Sequence, residues 1–478
     1  MAAADAPVPE LQARADACAA RLCAADRVLL ASHIDADGLT SAAISATALE
    51  RAAIPFEVVF EKQLDADSIA AIAGREYGTV LFTDFGSGQL DIVAEHERDG
   101  DFVPVIADHH QPAEADTECH LNPLLEGIDG ASELSGAGAS YVLARALAAR
   151  STADERLDNR DLAALAVVGA VGDMQASEGA LHGANEAIVA EGIEAGALEE
   201  TTDLAIYGKQ TRPLPKLLEY ASDVRIPGIT NDERGVVSFL DGVDVSCRSG
   251  GEWRRWVDLS EGEKRTLASA LVKRAVSRGV PAFKIDRLVG TSYLLSEEPV
   301  GTELRDASEF STLLNATARY DRADVGLAVC LGDREAAFER AKRLLTNHRR
   351  NLSEGIQWVE ERGVTREDTL QWFDAGDEIR ETIVGIIAGM SMGADGVSRD
   401  VPIVAFAEKS DTETKVSARG TGPLVGRGLD LSAAVGEAAR AVGGDGGGHD
   451  VAAGATIPTG TESEFIERAD SIVGDQLG

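Results

Sequence analysis

The sequence has 478 residues, 44% of them hydrophobic, which is enough for two or three domains with their own cores. No run approaches the roughly eighteen apolar residues of a membrane span, so a helical membrane protein is excluded. Formal net charge is −36, from 81 acidic against 45 basic residues. In dilute salt this excess repels anionic ligands and opposes compaction, whereas molar salt shortens the Debye length to about 3 Å and removes most of the penalty. The charge therefore reads as adaptation to a salt-rich, halophilic cytoplasm. An acidic protein with basic partners is the rival reading. Nucleic acid stays open as a ligand, because bound divalent cations reverse the field locally. Five cysteines without a C-x-x-C pair read as thiols in a reducing compartment. The first residues lack a basic segment followed by an apolar one, so a cytoplasmic location without a signal peptide is expected.

From residue 28 to 173, short apolar runs alternate with helical patterns. "RVLLAS" reads as a strand, followed by an Ala-rich helix from Leu39. "PFEVVFE", "GTVLFTDF" and "DFVPVIADHH" read as further strands, with "DADSIAAIAGRE" and "LDIVAEHE" as helices between them. Short strands alternating with helices predict a parallel sheet covered on both faces. A loop, "LNPLLEGIDGASELSGAGAS", enters the helix "YVLARALAAR", and the helix "NRDLAALAVVGAVGD" ends at Asp173.

Beyond residue 206 the pattern becomes helical, ending in the charge-rich "REAAFERAKRLLTNHRRNLSEGIQWVEERG", which suits a connector between lobes. The last section returns to α/β character, with a hairpin, "VPIVAFAEKSDTETKVSARG", and a glycine-rich "GGDGGGHDVAAG". The expected division is 1–206, 207–366 and 367–478.

Ligands of open α/β sheets bind beyond the carboxyl ends of the strands. The predicted strands deliver His33, Asp35 and Asp37, then Asp84, then Asp108, His109 and His110, and Asp173 follows an apolar helix. Taken singly, Asp37 and Asp173 also suit helix caps, Asp84 a turn, and the histidine pair a polar loop. Their collection at one end of one sheet favours a metal site. Carboxylates and imidazoles without thiolate suit Mn²⁺, with Mg²⁺ a poorer match, and six such ligands suit two ions about 3.5–4 Å apart. Phosphoester hydrolysis is the chemistry such a pair supports. Downstream, Gly446, Gly447, Gly448 and His449 read as a loop whose backbone approaches an anion, and Ser417 and Arg419 lie close by on the hairpin.

"SHIDADGLTSAA", "TDFGSG", "IADHHQP" and "VGAVGD" resemble the four ordered motifs of the DHH phosphoesterase superfamily, and "SARG" with "GGDGGGH" resembles the anion-binding motif of its C-terminal DHH-associated domain. The size, the helical insert and "RDASEFSTLLNATAR" resemble the archaeal RecJ-like exonucleases, including those associated with the GINS replication complex. The resemblance implies an N-terminal DHH domain with a parallel sheet flanked by helices, a helical insert and connector, and a smaller C-terminal α/β domain. It implies two Mn²⁺ ions, one held by His33, Asp35 and Asp84, the other by Asp37, Asp84, His109 and Asp173, with Asp84 shared. Asp84, Asp108, His109 and His110 form the implied catalytic group, Asp108 orienting a histidine and His110 contacting the scissile phosphate. Ser417, Arg419 and Gly446–His449 are the implied substrate contacts, holding the nucleotide across an interlobe cleft. Many bacterial RecJ proteins carry Asp at the place of His33, a departure that bears on metal preference. They also carry an OB-type domain with no evident counterpart here.

The expected activity is hydrolysis of single-stranded DNA or RNA from an end, in replication or repair, with GINS or other replisome proteins as possible partners through the insert. The alternatives are a small-substrate DHH phosphodiesterase acting on oligoribonucleotides or cyclic dinucleotides, and a replication-fork scaffold whose chemistry has been retired.

Overall fold

The structure is a computed structural model and describes residues 6–150, 158–221, 224–394 and 396–478. The chain divides into two compact units, residues 1–342 and 343–478, the boundary falling inside the long helix Ala336–Arg362.

The first unit is built on five parallel strands: β1 (Val28–His33), β2 (Phe56–Glu61), β3 (Thr79–Thr83), β4 (Val103–Ala107) and β5 (His120–Leu121). Their spatial order is β2-β1-β3-β4-β5, all pairs parallel. β1 and β3 are buried almost throughout, as continuous apolar runs require when both faces are covered. Six helices pack around this sheet: α1 (Gln12–Cys23), α2 (Ala36–Arg51), α3 (Ala66–Ala73), α4 (Leu90–Asp99), α5 (Gly136–Arg150) and α6 (Ala163–Gly172). Ile69, Ile72, Leu90 and Val93 from α3 and α4 join Leu29, Phe82 and Ile106 of the sheet in one core. α2 packs on β1 and against α5 and α6, and its alanines let these helices approach closely.

Two boundaries differ from the sequence expectation. α2 begins at Ala36, because the Asp35 side chain caps it by accepting from Gly38 N at 3.0 Å. α5 begins at Gly136, inside the stretch expected to be loop, because buried Asp37 accepts from its first N–H groups. The short β5 was not expected either. Two residues are too few to show a strand periodicity, and Ile106 N must find Cys119 O for the pairing to exist.

Between these helices and the long connector lies an antiparallel ladder, Leu198–Leu204 against Val289–Leu295, from which a segment with its own apolar core leaves and returns. Leu214, Leu217, Trp256, Leu267 and Leu271 belong to that core. The stretch 207–366 is thus not helical throughout. Its helix Ala307–Ala318 packs back on α2 and α6.

The second unit carries a six-stranded sheet in the order Thr365–Arg366, Gln371–Asp374, Ile403–Ser410, Glu413–Arg419, Ala452–Pro458, Asp445–Gly448. Helix Glu381–Ser391 contributes Ile383, Val384 and Ile387 to one core, while Leu431–Ala441 and Glu462–Leu477 contribute Val435 and Phe465 to another. Residues 445–448, expected to be a loop, form the edge strand of this sheet. Gly447 pairs with Gly454, and on either side a Cβ at Gly446 would sit 2.6 Å from Ala455 Cβ and one at Gly448 2.6 Å from Ala452 O.

Candidate metal centre

In the five-stranded sheet the chain runs from β1 to β2 on one side and returns to place β3 on the other, so a topological switch lies between β1 and β3. Register puts Ser32 beside Thr83 and Thr83 beside Ala107, so the residues that follow, His33, Asp84 and Asp108, leave three adjacent strands side by side. Parallel pairing alone thereby converges side chains that are tens of residues apart in sequence.

Asp84 occupies the centre. Its backbone is left-handed, at φ 59°, a conformation that costs an ordinary residue about 1 kcal/mol, and the bond from its N–H to Ala107 O helps to hold it. The side chain is buried, with Oδ2 3.6 Å from His33 Nδ1 and Oδ1 3.4 Å from His109 Nε2. Burial pushes this carboxyl up, but the imidazoles of His109 and His33 beside it outweigh that and hold it well below the usual carboxylate range.

On one side, His33 Nδ1 also lies 3.2 Å from Asp35 Oδ2, so His33, Asp35 and Asp84 present converging donors. On the other, Asp37, His109 and Asp173 form a second converging group. His109 Nε2 is 3.8 Å from Asp37 Oδ2, and its Nδ1 bonds Gly130 O at 2.6 Å. That bond keeps a proton on Nδ1, so Nε2 is the nitrogen that faces the acids and would turn to a cation bound among them. Burial lowers the pKa of both His33 and His109, yet the acids around them prevail and raise each to about 11. Asp37 moves the opposite way. Burial, then the charges of Asp84 and Asp173, push its carboxyl up, a repulsion that a cation among these groups would relieve.

Asp108 is fully buried and saturated with hydrogen bonds. Oδ2 accepts from Ser87 N at 2.9 Å, and Oδ1 accepts from His109 N at 2.7 Å and from His110 Nδ1 at 2.8 Å. It fixes the His109–His110 backbone and orients the His110 ring, whose side chain is 54% exposed. Hydrogen bonding to Asp108 raises the pKa of His110 above its ordinary value. Asp108 thus holds both histidines in place, and its carboxylate also converges with Asp84, His109 and His110 as a third group of donors.

The cap interpretations of these aspartates turn out to be partly correct and to coexist with clustering. Asp35 caps α2, and Asp173 is the last cap of α6. Asp37 caps a different helix, accepting from Gly136 N at 2.7 Å and Ala137 N at 3.0 Å. Gly136 is required by proximity, since a Cβ there would sit 2.5 Å from Asp84 Oδ1.

Three supporting residues escaped the sequence reading. Gln175 Nε2 donates to Asp173 Oδ2 at 2.9 Å and to Gly130 O at 2.8 Å, joining the two sides of His109. Asn185 Nδ2 in turn donates to Gln175 Oε1 at 2.7 Å. Asn315, on the helix Ala307–Ala318, accepts from Ala36 N at 3.0 Å and braces the turn between His33 and α2. Position two after Asp173 was a usable signal for Gln175. Nothing local pointed to Asn315, whose partner is 279 residues away.

In the second unit, Ser417 and Arg419 alternate along one face of Glu413–Arg419. Ser417 and Gly447 both pair with Gly454, so the serine and the glycine strand meet in one row, and Arg419 pairs with Ala452. Arg419 Nη1 donates to Ala418 O at 2.8 Å. His449 is exposed at the hairpin, its N–H bonded to Ala452 O.

Residues 27–170 match the DHH family N-terminal domain, residues 206–289 the DHH-CID domain and residues 369–475 the DHHA1 domain. An uncharacterized protein of Methanocaldococcus jannaschii is 30% identical over 455 residues, which span 93% of this chain and 93% of that protein. The chain belongs to the DHH family. Crystal structures similar to this DHH protein include RecJ of Thermus thermophilus in complex with Mn²⁺, at 17% identity and TM-score 0.61, covering 99% of this chain and 56% of that one. The DHH chain thus spans little more than half the length of that RecJ. An exonuclease RecJ bound to manganese aligns at 18% identity and TM-score 0.60, covering 98% of this chain and 95% of that one. CDC45 from Entamoeba histolytica aligns at 11% identity and TM-score 0.60, covering 97% of each chain. These similarities establish a DHH phosphoesterase fold of the RecJ and CDC45 kind. No helix among the described residues is long and apolar enough to cross a membrane.

Proposed function

We propose that this protein is a RecJ-like exonuclease that hydrolyses single-stranded nucleic acid with two divalent cations, Mn²⁺ being the better match and Mg²⁺ the alternative. The observation that carries this reading is the Asp84 carboxylate, whose two oxygens face two separate donor sets. His33, Asp35 and Asp84 would hold one ion, and Asp37, Asp84, His109 and Asp173 the other. Such a pair, held by these residues, would supply a more acidic water and positive charge for a phosphate.

The remaining work falls to this chain's own groups. His110, whose Nδ1 is held by Asp108 and whose ring is half open to solvent, is the proposed contact to a phosphate oxygen, and the raised pKa that Asp108 gives it favours that role. Ser417, Arg419, His449 and the glycine strand Gly446–Gly448 are the proposed contacts for the rest of the nucleotide. Work in replication or repair, with GINS-like replisome proteins as partners and the cytoplasm as location, belongs to the same proposal.

Asp84→Asn tests it, because Asn keeps the side-chain shape and tolerates the left-handed backbone. The variant is expected to remain folded, to bind Mn²⁺ with less than the parent's stoichiometry of two, and to release no nucleotides from 5′- or 3′-labelled single strands in high KCl. Full activity would refute the shared-ligand site. An inactive parent chain with both ions bound would favour a scaffold.

A further inference from the structure

Charge is distributed very unevenly along this acidic chain. From residue 264 to 289 the sequence carries seven Lys and Arg but one acidic residue, Asp286. Elsewhere cations are commonly neutralised in place, as Arg51 is by Asp161, Arg145 by Glu191 and Arg254 by Glu263. Arg265, Lys273, Arg278, Lys284 and Arg287 are instead all exposed, and among the described residues none of them makes an ion pair. In a protein with so many surface carboxylates, unpaired cations concentrated in one segment favour an anion from outside.

The geometry adds a second property. Arg265 and Lys273 lie two turns apart on the helix Glu261–Ser277 and line one open groove of about 480 Å³ with Thr266, Ser269, Val243 and Asp244. The helix then ends in a tight turn, Val280 N bonding Ala275 O, and leads into the single helical turn Ala282–Ile285. Phe283 stands on that turn 61% exposed, beside Lys284 and four residues before Arg287, and Val276 is likewise 61% exposed. An aromatic ring open to solvent among unpaired cations matches the two needs of an unpaired strand, a platform for bases and charge for the backbone. A folded acidic protein would satisfy the charge but leave the exposed ring unexplained.

We propose that the surface from Arg265 to Arg287 is a second binding site for single-stranded nucleic acid, with Phe283 stacking on a base and Arg278, Lys284 and Arg287 contacting phosphates. It rests on the reading of the substrate given above but uses none of the metal-site residues. Phosphate contacts weaken steeply with salt, whereas stacking survives it, so the ring supplies the part of the affinity that persists in concentrated KCl.

Binding is measured on the full chain in EDTA, so that hydrolysis cannot interfere, with a fluorescein-labelled oligothymidylate long enough to span both sites. The combined variant Arg278→Gln, Lys284→Gln and Arg287→Gln is expected to flatten the plot of log affinity against log salt by about 2, at roughly 0.7 per lost phosphate contact. Phe283→Ala is expected to weaken binding about tenfold, in molar as well as dilute KCl. Both variants should keep the parent's thermal midpoint, and its rate on a dinucleotide if the chain is a nuclease. Unchanged affinity and an unchanged salt slope, or no binding by the parent chain, would overturn the proposal. An acidic protein would then be the remaining occupant to test. Binding that depends on these residues in a chain that hydrolyses nothing would leave this site standing while removing the nuclease reading.

Discussion

Asp108 makes no bond to solvent, yet it determines where two histidines point. Its Oδ1 accepts from His109 N and His110 Nδ1, and its Oδ2 from Ser87 N. Outer partners of this kind, which hold a ligand's backbone and ring, typically contribute tenfold to a hundredfold to affinity or rate. Asp108→Asn is therefore expected to lower kcat about tenfold to a hundredfold while both Mn²⁺ ions still bind, as measured by calorimetry beside a nuclease assay. Loss of one ion would instead make Asp108 a ligand. Asp84→Asn differs because its oxygens face both donor sets, and removing that charge should eliminate activity.

Among the elements, the two-residue strand β5 supports the site despite its short length. It carries His120, buried against Ser87, whose hydroxyl also accepts from Asn122. Asn122 Nδ2 bonds His110 O as well, so β5 props the loop that bears the histidine pair. Burial depresses the pKa of His120 from 6.5 to about 4. The neutral ring thus contributes stability that is fully present above about pH 6.5 and lost as pH falls toward about 4, amounting to about 3 kcal/mol. Urea unfolding at neutral pH and near pH 4 measures this loss. His120→Gln should show a smaller decline over that window, and an identical decline would mean that other groups carry it.

For the whole molecule, a net charge of −36 is a property of the surface. Self-repulsion of that size opposes compaction at low ionic strength and is screened in molar salt. The thermal midpoint is therefore expected to rise steadily with KCl into the molar range. A midpoint independent of KCl would remove salt adaptation as the reason for the composition. The basic segment 264–289 departs from this pattern, and whole-chain composition conceals it.

The amino-acid sequence by itself determined the chemistry available at each strand end. Apolar runs that end in His33, Asp84 and Asp108 announce buried parallel strands, and buried strands can only present polar groups at their ends. The α/β class and the candidate metal residues were legible for that reason, because each is a local pattern. Only the tertiary structure decided which partner each group has. Asp37 caps α5 rather than its own helix, Asn315 braces Ala36, and Gln175 joins Asp173 to Gly130, all through contacts between elements. The glycines at 446–448 suggested a loop because glycine lowers strand propensity. Pairing with Ala453–Thr456 overrode that, and the glycines mark a close approach, a Cβ at Gly446 falling 2.6 Å from Ala455 Cβ. Residue type and local period are encoded along the chain, whereas register and packing arise only when distant segments meet.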